Sequence, residues 1–294
     1  MNVRSRLRGG AGVGADTTQD VMNALGNEIR NSTGEVIASW NATGPSWITT
    51  KPTGSCTFTR PDGSNAGITA LNTALDGNTG CVDFARSTRG PVDFSTTDLT
   101  FIPYAKDALS WAKRWDSPLP DDLTTAQLHD IYACTLTSLN GVPLTPHLPL
   151  GAAEEARFLA FIAVATPGPC VTTGPYLQEN DGTALVGAGD IMPYSTAQYV
   201  AQETLVVDDR RGDSVLGKVN GFAPSDGEFT TNWYFPFLYD VYNVVPTAEL
   251  SDPVFAATFV GPASAVCANT ELISEYSFLT IGTDCGRTDL KGEK

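Results

Sequence analysis

A chain of 294 residues is long enough for one large domain or two medium ones, each with its own core. Its 33 acidic and 18 basic side chains give a formal charge of -15, and no basic run follows the first eight residues. Such a field repels polyanions, so nucleic acid is set aside as a partner; no apolar run approaches the ~20 residues that span a bilayer.

Helical and strand signals alternate along the chain, which predicts an α/β protein. An Asp16/Thr17 cap, then Val21, Met22, Leu25 and Ile29 at helical spacing, predicts a helix that Gly34 stops. Residues 36–42 read as a strand. Residues 63–77 open on a Gly/Ser turn and continue as a helix with Ile68, Leu71 and Leu75 on one face. Residues 81–87 are a strand entering a loop, and 98–112 read as a strand, a turn, and then further strand or helix. Residues 123–134 carry a Thr cap with Leu128, Ile131 and Tyr132 in register; 154–165 and 195–203 are further helices. Residues 206–232 form the longest polar, Gly-rich connection and are the expected passage between lobes, with the Arg211–Asp213 triplet as a charged turn. Residues 232–245 are aromatic and β-branched and read as a strand, Pro236 marking an edge or bend.

The six cysteines, at 56, 81, 134, 170, 267 and 285, form no CxxC pair, and His129 and His147 are the only histidines. That spacing suits neither zinc nor a catalytic thiol, so no metal and no cofactor is expected. The simplest bridging joins neighbours along the chain: Cys56–Cys81, Cys134–Cys170 and Cys267–Cys285. Each bridge would add roughly 3 kcal/mol by restricting the unfolded chain; six buried free thiols are the alternative. The first ten residues are charged but lack the apolar region of a secretory signal. With the cysteines, this gives the expectation of an extracellular or cell-surface protein whose signal is absent from the chain, and a cytoplasmic one as the alternative. The glycines of residues 10–16 lack the full spacing of a dinucleotide fingerprint, and there is no GxSxG, HExxH or P-loop.

Three segments share one design, a small polar loop opening a helix or closing a strand: GVGADTTQD (12–20), PDGSNAGI (61–68) and DFARSTRG (83–90). Helix N-termini with free N–H groups and small hydroxyl residues are ready anion sites. With LTTAQLHDIY and DIMPYSTAQYVAQ following in order, the chain resembles the substrate-binding proteins of phosphate-type ABC transporters, in particular secreted actinobacterial members. The resemblance implies a two-lobed, hinge-connected periplasmic-binding-protein-like fold (type II). Lobe 1 would take residues 1–100 and 216–294, and lobe 2 residues 101–215. It implies a small-molecule ligand, an oxyanion or an organic molecule, held between lobes that close around it, an ABC permease as partner, and a monomer.

Carried over by position, the first loop offers Thr17 and Thr18 beside Asp16, and the second offers Ser64. The third loop reads Arg86-Ser87-Thr88-Arg89, where phosphate binders hold an Asp; Arg86 and Ser87 are taken as contacts. The fourth loop departs most: Ala153-Glu154-Glu155 stands where phosphate binders have a Ser-Gly-Thr turn. Acids in a first helical turn are favourable by roughly 0.3–1 kcal/mol each. Facing a dianion at 4 Å, however, one like charge costs about 4 kcal/mol. Glu154 and Glu155 therefore imply an altered anion site. They also leave open a second expectation, an enzyme on a recruited binding-protein scaffold with these residues as acid and base. Trp40, Trp47, Trp111, Trp115, Trp233 and Tyr234 are numerous enough to wall an organic ligand.

Overall fold

The computed structural model describes residues 10–31, 34–52, 55–149, 152–174, 177–227 and 229–294; the charged opening residues 1–9 lie outside them. The elements run β1 (Gly10–Gly14), α1 (Gln19–Glu28), β2 (Ile37–Ser39), β3 (Trp47–Thr49), β4 (Thr57–Thr59), α2 (Gly63–Asp76), β5 (Phe84–Ser87) and β6 (Leu99–Arg114). They continue with α3 (Thr125–Tyr132), β7 (Thr145–Pro149), α4 (Ala153–Phe161), β8 (Thr172–Gly174), β9 (Asp190–Ser195), α5 (Thr196–Glu203), β10 (Ser214–Leu216), β11 (Leu238–Pro246) and α6 (Pro253–Phe259). The α/β class expected from the sequence is the class observed.

The chain divides into two compact units: Met1–Lys106 with Asp240–Ser274 and Thr280–Lys294, and Asp107–Tyr239 with Glu275–Leu279. Residues 206–232 lie wholly within the second unit. In the first unit β1 is central, parallel to β2 on one side (Gly10↔Ile37) and to β5 on the other (Gly12↔Phe84); β5 continues antiparallel to β11 (Ala85↔Val244). The connection from β1 goes one way and the next returns across it. The carboxyl end of β1 is therefore a topological switch point, where open α/β sheets bind ligands. Val13, Ile68, Leu71, Val82, Leu99, Phe101 and Val244 pack the core, and the apolar stripe of α2 supplies two of them. Glycine is required twice here. A Cβ on Gly12 would enter the Phe84 ring, and one on Gly67 would lie 2.5 Å from the Gly14 Cα, so α2 rests directly on the end of β1.

In the second unit β9 runs antiparallel to β6 (Ser195↔Leu109), β7 is parallel to β9 (Thr145↔Asp190), and β8 is parallel to β7 (His147↔Thr172). Helix α3 starts as its sequence predicts, on a capping box between Thr124 and Gln127. Tyr132, Phe158 and Phe237 meet edge to face in its core. The three neighbour-to-neighbour disulfides are present.

Three expectations need correction. The first helix ends at Glu28, before Gly34, because Ile29 turns extended after its N–H closes the last turn on the Leu25 carbonyl; Gly34 serves a short antiparallel pair with Arg30–Asn31 instead. Residues 99–114 are one unbroken strand. Pro103 is accommodated because its carbonyl still accepts from Gly286 while its missing donor is not needed. Residues 232–237 are a turn, not strand: Asn232 accepts from the Phe235 N–H through its carbonyl and from the Tyr234 N–H through its side chain, and the strand begins at Leu238.

Candidate functional site

In the first unit, β1 runs out at Gly14, whose φ of +125° turns the chain into the loop 15–18 that opens α1. Arg86, fully buried on β5, holds that loop. Its Nε donates to the Ala15 carbonyl (3.0 Å), one Nη to the Gly14 carbonyl (3.0 Å) and the other to Ser39 Oγ (2.7 Å), while the Ala15 N–H donates back to the Arg86 carbonyl (3.1 Å). Burial lowers the guanidinium to about 10, against the support of Tyr104, Asp16, Asp20 and Asp62. Arg86 is thus placed as the brace of the loop that carries Asp16, Thr17 and Thr18, all buried.

The second loop comes alongside, with Asp62 bridged to Gly14 through the backbone. Ser64 stands in the first turn of α2. Its Oγ lies 2.9 Å from the Thr88 hydroxyl and accepts from the Thr88 N–H (3.0 Å). Ser87 Oγ donates to the Arg89 carbonyl and accepts from the Arg89 N–H, which folds the third loop back on itself. Asp16, Thr17, Thr18, Ser64, Arg86 and Ser87 therefore belong to one set of loops at the carboxyl ends of β1 and β5. Two residues join them that sequence reasoning did not single out as contacts. Thr88 ties the third loop to Ser64. Asp62 is the N-cap residue of α2, and an Asp before Gly-Ser at a helix start was the signal that could have found it.

Asp62 is exposed overall, yet its carboxyl end is partly enclosed. Enclosure and the neighbouring Asp16 charge push it up to about 6, and Arg86 pulls back only in part. Its folded value lies above the ordinary 3.8, so its contribution to stability is complete below 3.8 and is lost as pH rises through about 6. Asp62→Asn, which keeps the size and removes the charge, should flatten the pH dependence of the melting temperature across that window. An unchanged slope would mean Asp62 is not the titrating group.

Glu154 and Glu155 lie in the second unit, in the first turn of α4. Glu155 is half-buried; Glu154 is buried at 1% exposure, and its charge is felt by Tyr239. The Arg157 guanidinium sits 4.6 Å from the Tyr239 ring centroid. Tyr239 donates to Asp107 (2.8 Å), and Asp107 also accepts from Ser195 Oγ (2.5 Å) and from the Ala197 (2.8 Å) and Ala108 (2.7 Å) N–H groups. Burial pushes the Asp107 carboxyl up while these bonds pull it down. A buried polar network thus joins Tyr239 to Asp107 and the start of α5, with Arg157 of α4 over the Tyr239 ring. His147 contacts Asp190 at 3.3 Å across β7 and β9, and His129 Nδ1 lies 2.9 Å from the Ile162 carbonyl. Of the aromatic residues, Trp47, Trp115, Trp233 and Tyr234 are exposed, and Trp111 is buried against Gly217 with its Nε1 donating to the Lys218 carbonyl.

With this geometry in view, solved structures supply the comparison. The chain is similar to an ABC-type phosphate transport receptor from Vibrio cholerae, at 14% identity and a TM-score of 0.59, covering 92% of this chain and 99% of that one. It is similar to a protein described as a phosphate ABC transporter substrate-binding protein from Clostridium perfringens, solved with phosphate bound, at 13% identity and a TM-score of 0.62, covering 93% and 100%. The fold is that of the two-lobed phosphate-binding proteins. The same fold relates it to the Synechocystis PCC6803 CcmR regulatory domain in complex with 2-PG, at 15% identity and a TM-score of 0.52, covering 91% and 98%. No family model and no curated protein sequence matches.

Proposed function

We propose that the protein is a solute-binding protein of the phosphate-transporter type that captures a small oxyanion at an altered site, outside the cell, and presents it to a membrane permease. The observation that carries this reading is the loop set of the first unit. Two helix starts, α1 and α2, stand beside the hydroxyls of Thr17, Thr18, Ser64, Ser87 and Thr88, on a strand end braced by Arg86. Helix N-termini and hydroxyl donors suit an oxyanion. Two features support a ligand other than the dianion of inorganic phosphate. Thr88 offers a hydroxyl where phosphate binders hold an Asp, and Ala153-Glu154-Glu155 replaces their Ser-Gly-Thr turn. The three disulfides support an oxidising compartment. Asp16, Thr17, Thr18, Ser64 and Ser87 are the assigned contacts, with Arg86 positioning the loop.

Calorimetry with phosphate, sulfate, a phosphonate and an organic phosphate tests the reading. At least one should bind saturably, and Ser64→Ala should weaken it about tenfold, the worth of one hydroxyl bond to a charged group. Sulfate does not titrate near neutrality, so a tightening as pH falls through about 6 that Asp62→Asn removes reports Asp62 losing its charge. Silence from all four anions would overturn the proposal.

A further inference from the structure

A groove of about 690 Å³ opens on the first unit, apart from the loop contacts assigned above. It lies between the side of α1, the end of β2, the loop 41–45 and the β3–β4 hairpin. Its size falls within the range of small-molecule sites. The walls are held in place. Cys56–Cys81 staples the hairpin, where Thr50 Oγ1 donates to the Cys81 carbonyl (2.6 Å) and the Thr50 N–H to the Cys56 carbonyl (3.1 Å). The opposite loop is clamped by Gln19 Oε1, which accepts from the Ala42 N–H (2.9 Å), and by Arg60, whose Nε and Nη1 donate to the Pro45 and Asn41 carbonyls. Asn23 Nδ2 donates to Asn41 Oδ1 (2.6 Å).

The lining chemistry is specific. The protein carries a formal charge of -15, yet no carboxylate lines the groove among the described residues. Lys51 is neutralised by Asp83 at 2.8 Å. Arg60 bonds only to neutral carbonyls, so among the described residues no carboxylate answers its charge, and it keeps donors in reserve. Trp40 is half-buried, packed against the core while also lining the groove. The amides of Asn23 and Asn41 and the Thr43 hydroxyl complete the set. A bare anion needs no indole face, and an apolar ligand would leave the amides and the cation unmatched. An indole platform, a ring of amide and hydroxyl groups and the Arg60 guanidinium with its remaining donors fit a sugar ring that carries a carboxylate.

We propose that this groove is a second binding site, for an acidic saccharide: a hexuronate unit stacks on Trp40, its carboxylate pairs with Arg60, and its hydroxyls meet Asn23, Asn41 and Thr43. The site stands independently of the oxyanion reading. The test is calorimetry of the full chain, at low salt, with glucuronate-containing oligosaccharides and with their neutral glucose counterparts. The acidic sugar should bind saturably and at least tenfold more tightly than the neutral one. Arg60→Gln should erase that preference, and Asn41→Ala, which leaves the backbone carbonyl in place, should weaken both sugars while sulfate binding and melting temperature stay at native values. Absence of saturable binding by either sugar, equal affinity for both in the native protein, or an acidic preference that survives Arg60→Gln would each overturn it.

Discussion

Asp107→Leu should lower the unfolding free energy by about 4 kcal/mol or more, the largest effect of any single change to the polar core of the second unit. Leu keeps the branching at Cγ but is bulkier and accepts nothing. It would leave the Ser195 and Tyr239 hydroxyls and the Ala108 and Ala197 N–H groups facing an apolar side chain. Each buried donor without an acceptor costs about 1–3 kcal/mol. Asp107→Asn should be much milder, about 1–2 kcal/mol. Its carbonyl oxygen keeps the two N–H donors, and the two hydroxyls rotate to accept from its amide. A third variant, Asp107→Ala, separates the causes: it relieves any overpacking by Leu yet still accepts nothing, so it should remain far costlier than Asn. Denaturant unfolding of the three variants beside the native protein measures these costs. A Leu variant within 1 kcal/mol of native would show that the network contributes little.

Arg86→Met should abolish anion binding and cost about 3 kcal/mol of stability, since three oxygen acceptors on β1, its following loop and β2 lose their donor together. The informative variant is Arg86→Lys. A lysine keeps the charge but cannot reach the Gly14, Ala15 and Ser39 oxygens at once, as the planar fork does. If Arg86 positions the loop, Lys should behave like Met in both melting temperature and sulfate affinity. If the guanidinium touches the ligand instead, Lys should retain part of the affinity and Met should melt near the native temperature. Calorimetry and thermal unfolding of the pair decide between the two roles.

Local chemistry made part of this structure legible in the sequence. The Thr124 and Ser195 caps sit next to apolar residues at helical spacing, so α3 and α5 announce themselves, and the polar loops ahead of α1 and α2 point to the switch point of the first unit. Longer-range consequences were hidden. Nothing near Arg86 in sequence says that its guanidinium reaches back across more than seventy residues to the β1 loop. Asp107 reads as one polar residue in a strand, because all its partners but the adjacent Ala108 come from positions 195, 197 and 239. Glu154 reads as a first-turn acid, which it is, but its enclosure beside Tyr239 depends on how β11 packs. Residues 98–112 read as strand and turn rather than as one strand, because the sequence does not tell which backbone N–H groups the sheet needs.

Because the bridges join the first cysteine to the second, the third to the fourth and the fifth to the sixth, order of emergence and order of pairing coincide. A polypeptide leaving a ribosome or a translocation pore amino end first never exposes more than one unjoined thiol for long. Oxidation that keeps pace with synthesis therefore reaches the correct connectivity by proximity alone, with no shuffling enzyme to undo wrong pairs. The same linear arrangement makes shortened versions ending between bridges, after Cys81 or after Cys170, free of stranded thiols.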